Sequence, residues 1–233
     1  MIRVFPRETL GGFENDWLNS KFHFSFADYY DEKRMGFGPL RVINDDLIKA
    51  GSGFDLHPHR DMEIITYVRT GAVHHRDTLG HKGKTGAGDV QVMTAGTGIA
   101  HAEHADPSDD TTLFQIWIQP NRRGLQPRWG QAEFPKAPVT GDLKLLVSGR
   151  ESDADSDALT IHQDAAIYGG NLVKDTALTH NVRGNTGAYV VISAGEVGVN
   201  GTVMKVGDGA EITGEPTLNI RGLTDAELLV IEV

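Results

Sequence analysis

Glycine, aspartate and proline interrupt this 233-residue chain at short intervals, and the apolar-rich segments between them are too brief for helices. A helix needs roughly ten or more residues to bury one stripe, whereas a strand buries one face in about five. Strands are therefore expected at residues 41–43, 63–68, 72–76, 90–93, 112–118 and 144–148. Later ones are expected at 159–162, 188–193, 196–199, 202–205, 210–213, 217–220 and 227–233. No long amphipathic stripe occurs, and residues 164–168 offer at most one helical turn. The chain is expected to be all-β, an antiparallel sandwich or barrel.

Residues 124–141 hold three prolines and no sustained periodicity, which marks a boundary. Each side carries enough strands to close a barrel of its own. The expected division is 1–130 and 131–233.

The chemistry concentrates before that boundary. His57 and His59 stand at i and i+2, as do His101 and Glu103. Alternate residues of an extended chain share a face, so each pair projects together. Ten histidines in this length would give about 0.4 His-x-His pairs by chance, so the first pair alone carries little. Its setting carries more. A strand-like run and Gly71 follow it, and a strand-like run and a glycine-rich turn precede the second pair. Two such pairs facing each other make a cage of three imidazoles and one carboxylate, a donor set suited to a divalent transition metal.

The other histidines fit this scheme less well. His74 and His75 are adjacent, so they point to opposite faces of any strand and cannot both face one metal. His81 lies in a glycine- and lysine-rich hairpin tip, where exposure is expected. His104 should point away from the cage, and His23 should be a partly buried side chain among aromatics. His162 and His180 each lack an i+2 partner, so the second barrel is expected to bind no metal.

Composition narrows the function classes. With 22 basic and 32 acidic residues the formal charge is −10, which repels nucleic acid and anionic membranes. The absence of cysteine removes disulfides, thiolate catalysis and sulfur ligands. No apolar run long enough for a membrane helix and no leader-like N-terminus is visible, so a cytoplasmic protein is expected.

The spacing Gly51-x5-His57-x-His59-x3-Glu63-x7-Gly71 resembles the first cupin motif, and Gly96-x-Gly98-x2-His101 resembles the end of the second. The closing glycine of the first motif is one residue late, and Gly96 stands where the general pattern has proline. Residues 17–26, 41–46, 93–103 and 115–118 look like signatures of the pirin family, in the pirin order. The second half resembles it more loosely, through residues 161–164.

That resemblance implies a bicupin, two cupin-like jelly-roll barrels in one chain. It implies His57, His59, His101 and Glu103 as ligands of one metal, with Glu63, a ligand in many other cupins, left out. It favours Fe2+, while Zn, Mn, Co, Ni or Cu would also suit the donors. The implied activity is a quercetin 2,3-dioxygenase that cleaves flavonols with O2 and releases carbon monoxide, with Glu103 as the catalytic proton acceptor. Phe54, Met93 and Gln115 are candidates for the pocket wall. Pirins also imply an alternative, an iron-dependent redox-responsive binding protein or transcription cofactor with protein partners. Other cupins imply a sugar-phosphate isomerase, but Arg41, Lys49, Arg60 and Arg69 do not form the phosphate-binding cluster it needs.

Overall fold

The computed structural model describes residues 1–183 and 187–233. Among them almost every regular element is a strand, and the exceptions are two short 3-10 turns at Arg7–Thr9 and Glu151–Asp153. The chain is all-β, as its short apolar runs predict. It divides into two compact units.

The N-terminal unit comprises Gly11–Pro135 and Leu159–Gln163. Its larger sheet runs in the order Arg128–Ala132, Val90–Thr94, Glu63–Thr70, Thr111–Ile118, Leu40–Ile48, Leu18–Phe22, Gly11–Glu14. The smaller sheet runs Gly53–His59, Ile99–Ala105, Ala72–Asp77, Lys82–Gly86. Burial explains the layering: every residue of Val90–Thr94 is buried, and Glu63–Thr70 opens with six buried residues, so these are central strands with both faces covered. Leu18, Ile48, Val68, Val73 and Leu113 join the sheets at one end of the barrel, leaving the space between them open further along.

The C-terminal unit comprises Met1–Leu10, Lys136–Ala158 and Asp164–Val233. Ala188–Ala194 and Ala226–Glu232 pair at its centre, with Ala166–Leu172 beyond them. Val190, Leu228, Val230, Val199, Met204 and Leu218 are fully buried and fill its core. Unlike the expected 1–130 grouping, strand Ile2–Phe5 pairs with Gly209–Ile212 in this unit. Ile2 and Val4 pack on its core while their backbone completes an open sheet edge.

Three expectations need correction. The strand expected at 41–43 extends over Leu40–Ile48, through Asn44, Asp45 and Asp46. The segment 124–141 contains a strand, Arg128–Ala132, which forms the sheet edge beside Val90–Thr94. Residues 164–168 form no helical turn; Ala166–Leu172 is a strand, drawn into the sheet by Tyr168 opposite Val230 and Leu145.

Candidate metal centre

His57, His59 and His101 meet because two strands are held in one register. His101 lies directly opposite His57, and Ile99 opposite His59, between Ile99–Ala105 and Gly53–His59. The pairing then shifts: Glu103 lies opposite Phe54, so Gly53–His59 carries one extra residue between these points. That bulge reverses the alternation locally. Phe54, His57 and His59 therefore all line one cavity, whereas Leu56 is 53% exposed.

The three imidazole centroids stand 4.5, 4.8 and 5.0 Å apart. Their donor atoms fall within 4.8 Å of one another. A second group, His75, His101 and Glu103, satisfies the same limit and shares His101. The structure thus brings the three histidines together and places Glu103 beside His101, without gathering the four donors into one group.

Hydrogen bonding aims these rings. His57 Nδ1 lies 2.7 Å from the Asp55 carbonyl, so it donates there and leaves Nε2 as the free lone pair. His59 Nε2 is buried with no hydrogen-bond partner among the described residues. Burial, then the neighbouring His101 and His57, hold the His59 imidazole down to about 4. Burial, then His57 and His75, hold His101 down to about 3. Both are neutral near pH 7, the form in which imidazole binds a metal. A sulfur-free cluster of three imidazoles, with His59 and His101 held neutral and one buried nitrogen orphaned, fits a divalent transition metal.

Glu103 is gripped from the opposite sheet. Positions Asn44, Gln115, Thr66 and Gln91 form one row of directly paired residues across four strands. Thr66 Oγ1 donates to Glu103 Oε1 at 3.1 Å, Gln91 Nε2 donates to the same oxygen, and Gln115 Nε2 donates to Oε2 at 2.9 Å. Both carboxylate oxygens are therefore fixed in orientation. Of this polar row only Gln115 was a candidate from the sequence; alternate polar residues within otherwise apolar strands are the signal for the rest.

The cluster lines a cavity of about 320 Å³ within this unit, walled by Leu18, Phe22, Phe26, Phe54, Ile64 and Trp117. Gln115 joins Phe54 in the wall, whereas Met93 packs with Ile64, Ala95 and Ile99 in a separate core cluster. No lysine or arginine lines this cavity among the described residues. Asp46 does, and burial, with Asp45 and Glu103 adding to it against the Ser20 hydrogen bond and Arg69, pushes its carboxyl up to about 7.

The remaining histidines separate as adjacency requires. His75 is buried, stacked on Trp129 at 4.8 Å and 3.1 Å from the Asp77 carboxylate, while His74 faces outward to Asp106. His81, in the expected hairpin, is half-exposed yet places Nδ1 2.8 Å from the same Asp77 carboxylate. His104 pairs with exposed Asp55, and His23 is buried more completely than expected. Glu63 is fully buried against Thr94 and His162, and burial pushes its carboxyl up. In the C-terminal unit, His180 is buried against Glu232 at 2.8 Å, and neither group of metal-capable side chains lies there among the described residues.

Comparison with known proteins identifies the family. Residues 4–118 match the Pirin family, and residues 145–233 match the quercetinase C-terminal cupin domain. A Pseudomonas aeruginosa protein provisionally named quercetin 2,3-dioxygenase is 51% identical over the full length of both chains. A pirin-like protein of Caulobacter vibrioides is 48% identical, covering 100% of this chain and 99% of that one. The crystal structure of bacterial pirin YhhW from Escherichia coli in complex with nickel(II) superposes with a TM-score of 0.91 at 39% identity, covering 100% of this chain and 99% of that one. With its two cupin domains, the chain belongs to the pirin family.

Proposed function

We propose that this protein is a metal-dependent dioxygenase that cleaves flavonols such as quercetin, with His57, His59, His101 and Glu103 holding one ion, Fe2+ in the active form. The observation that carries this reading is a cluster of three imidazoles set into an aromatic-walled cavity of about 320 Å³. That volume suits one small planar molecule, near the lower end of the range for ligand pockets. The names of the Escherichia coli and Pseudomonas aeruginosa relatives support the same substrate class.

A bound transition metal would supply Lewis acidity toward the substrate's 3-hydroxyl oxygen and a route for electrons to dioxygen. The chain's own groups do the rest. The aromatic walls exclude water and hold the flavonol flat. Glu103 accepts the 3-hydroxyl proton, and Gln91, Gln115 and Thr66 keep its carboxylate aimed. One flavonol and one O2 give one depside and one carbon monoxide.

The phosphate-handling isomerase reading lacks support, since three carboxylates, Asp28, Asp46 and Glu103, and no cationic side chain line the cavity among the described residues. Oxygen uptake and carbon monoxide release by iron-loaded protein with quercetin would test the proposal. Iron-loaded protein that binds quercetin and consumes no oxygen would overturn it in favour of the binding-protein alternative.

A further inference from the structure

Asn44 and Asp46 stand at i and i+2 on Leu40–Ile48, so both side chains leave the same face of the sheet and enter the cavity. Asp45, between them, turns to the other face and pairs with Arg69. Asn44 is 5% exposed, and its Oδ1 is buried without a hydrogen-bond partner among the described residues. Trp117, in the same cavity, has a buried indole Nε1–H in the same condition. Buried polar atoms are seldom left so, and these two face one chamber whose walls are largely aromatic. Asp46, also in the lining, is 3% exposed and accepts from Ser20 on Oδ1.

Position matters as much as satisfaction. Asn44 is paired directly with Gln115, whose amide touches Glu103. Asp46 lies two residues further along the strand, about 7 Å on. A planar molecule held over the histidines would meet Asn44 close to the cluster and Asp46 at a remoter edge.

We propose that Asn44 and Asp46 form a hydroxyl-reading edge, selecting planar aromatic substrates with several hydroxyl groups over those with one. This rests on reading the cavity as an aromatic substrate site. Both side chains offer acceptor oxygens, which phenolic hydroxyls satisfy. Carboxylated or phosphorylated aromatics are disfavoured, because Asp46 and Glu103 face the ligand with no cation in the wall.

The test is equilibrium binding of quercetin and of 3-hydroxyflavone, which lacks quercetin's other hydroxyls, to zinc-loaded protein; zinc has no redox chemistry and leaves both ligands intact. Wild type should prefer quercetin. At pH 8, where the Asp46 carboxyl is mostly ionised, Asp46→Asn, which keeps the shape and the Ser20 contact, should weaken quercetin about tenfold and leave 3-hydroxyflavone within twofold, the loss expected of one hydrogen bond to a charged acceptor. Asn44→Leu should weaken both ligands unequally, quercetin more. Unchanged zinc content and melting temperature would show that the variants fold.

Equal losses for both ligands, or none for either, would overturn the edge and leave Asn44 and Asp46 bridged by ordered water. The dioxygenase reading is tested separately. Selective loss in Asp46→Asn combined with no oxygen uptake by iron-loaded wild type would sustain the edge and remove the oxygen chemistry. Turnover of quercetin without selective loss would do the reverse.

Discussion

The Nδ1 atoms of His75 and His101 face each other at 3.5 Å in the protein interior. Only one of two facing imidazole nitrogens can carry the hydrogen. His75 Nε2 lies 3.1 Å from the Asp77 carboxylate, which accepts, so His75 donates there from Nε2 and its Nδ1 is the acceptor for His101. His101 is thereby left with a bare lone pair on Nε2.

His75→Ala should weaken metal binding about 10- to 100-fold, the usual cost of removing a partner that orients a ligating histidine. His74→Ala, one residue away and outward-facing, should leave it within twofold. Competition against a chromophoric chelator measures both, and equal affinities would detach His75 from the site.

His101 belongs to both groups of candidate donors, so its removal should do more. His101→Ala is expected to lower metal affinity by orders of magnitude and to abolish oxygen uptake. Wild-type metal content in this variant would end the proposed assignment. His81→Ala is a milder case, since His81 reaches the site indirectly, through Asp77 and Trp129, and a shift of a few-fold is expected.

Glu103→Gln separates holding the ion from taking a proton. An amide cannot accept a proton near neutral pH, and loss of a general base costs about 10² to 10⁴ in rate. Turnover per bound metal should therefore fall deeply at low pH and recover in part as the flavonol ionises by itself. Full activity per metal at every pH would assign proton removal elsewhere.

In metal-free protein, acid should act through His59, His101 and Asp46 in opposite directions. The imidazoles are held down to about 4 and about 3, so below pH ~6.5 the unfolded chain takes up protons that the fold refuses, and stability falls as pH falls. Asp46, pushed up to about 7, takes its proton in the folded state first, so acidification from pH 7 toward 4 adds stability. Asp46→Asn deletes only the second contribution. Between pH 7.5 and 4.5 denaturant titrations should show the variant losing more stability than wild type, by up to a few kcal/mol. Equal losses would place the Asp46 carboxyl near its ordinary value.

The convergence of His57, His59 and His101 was legible because alternation along a strand is a local rule, and both pairs sit within single strands. The one-residue bulge opposite Glu103 was not, since it exists only in the pairing of two strands. Nor was the length of Leu40–Ile48. Three successive polar residues look like a strand's end until the cavity receives Asn44 and Asp46 and Arg69 receives Asp45. His75 was set aside with His74 by adjacency, which fixes that one of them points inward but not which. Prolines flanking Arg128–Ala132 masked a strand whose place is set by its neighbour, Val90–Thr94.

The pairing of Ile2–Phe5 with Gly209–Ile212 makes the C-terminal unit discontinuous in the gene. A fragment beginning at Lys136 would be born with the backbone of Gly209–Ile212 bare along one side, an invitation to self-association. Excision at the obvious boundary should therefore yield an aggregating product, and a peptide of residues 1–10 supplied in trans should rescue it. During synthesis Ile2–Phe5 must wait for Gly209–Ile212, about two hundred residues later, before it is paired, so an insertion ahead of Ile2 burdens the half of the molecule that is translated second.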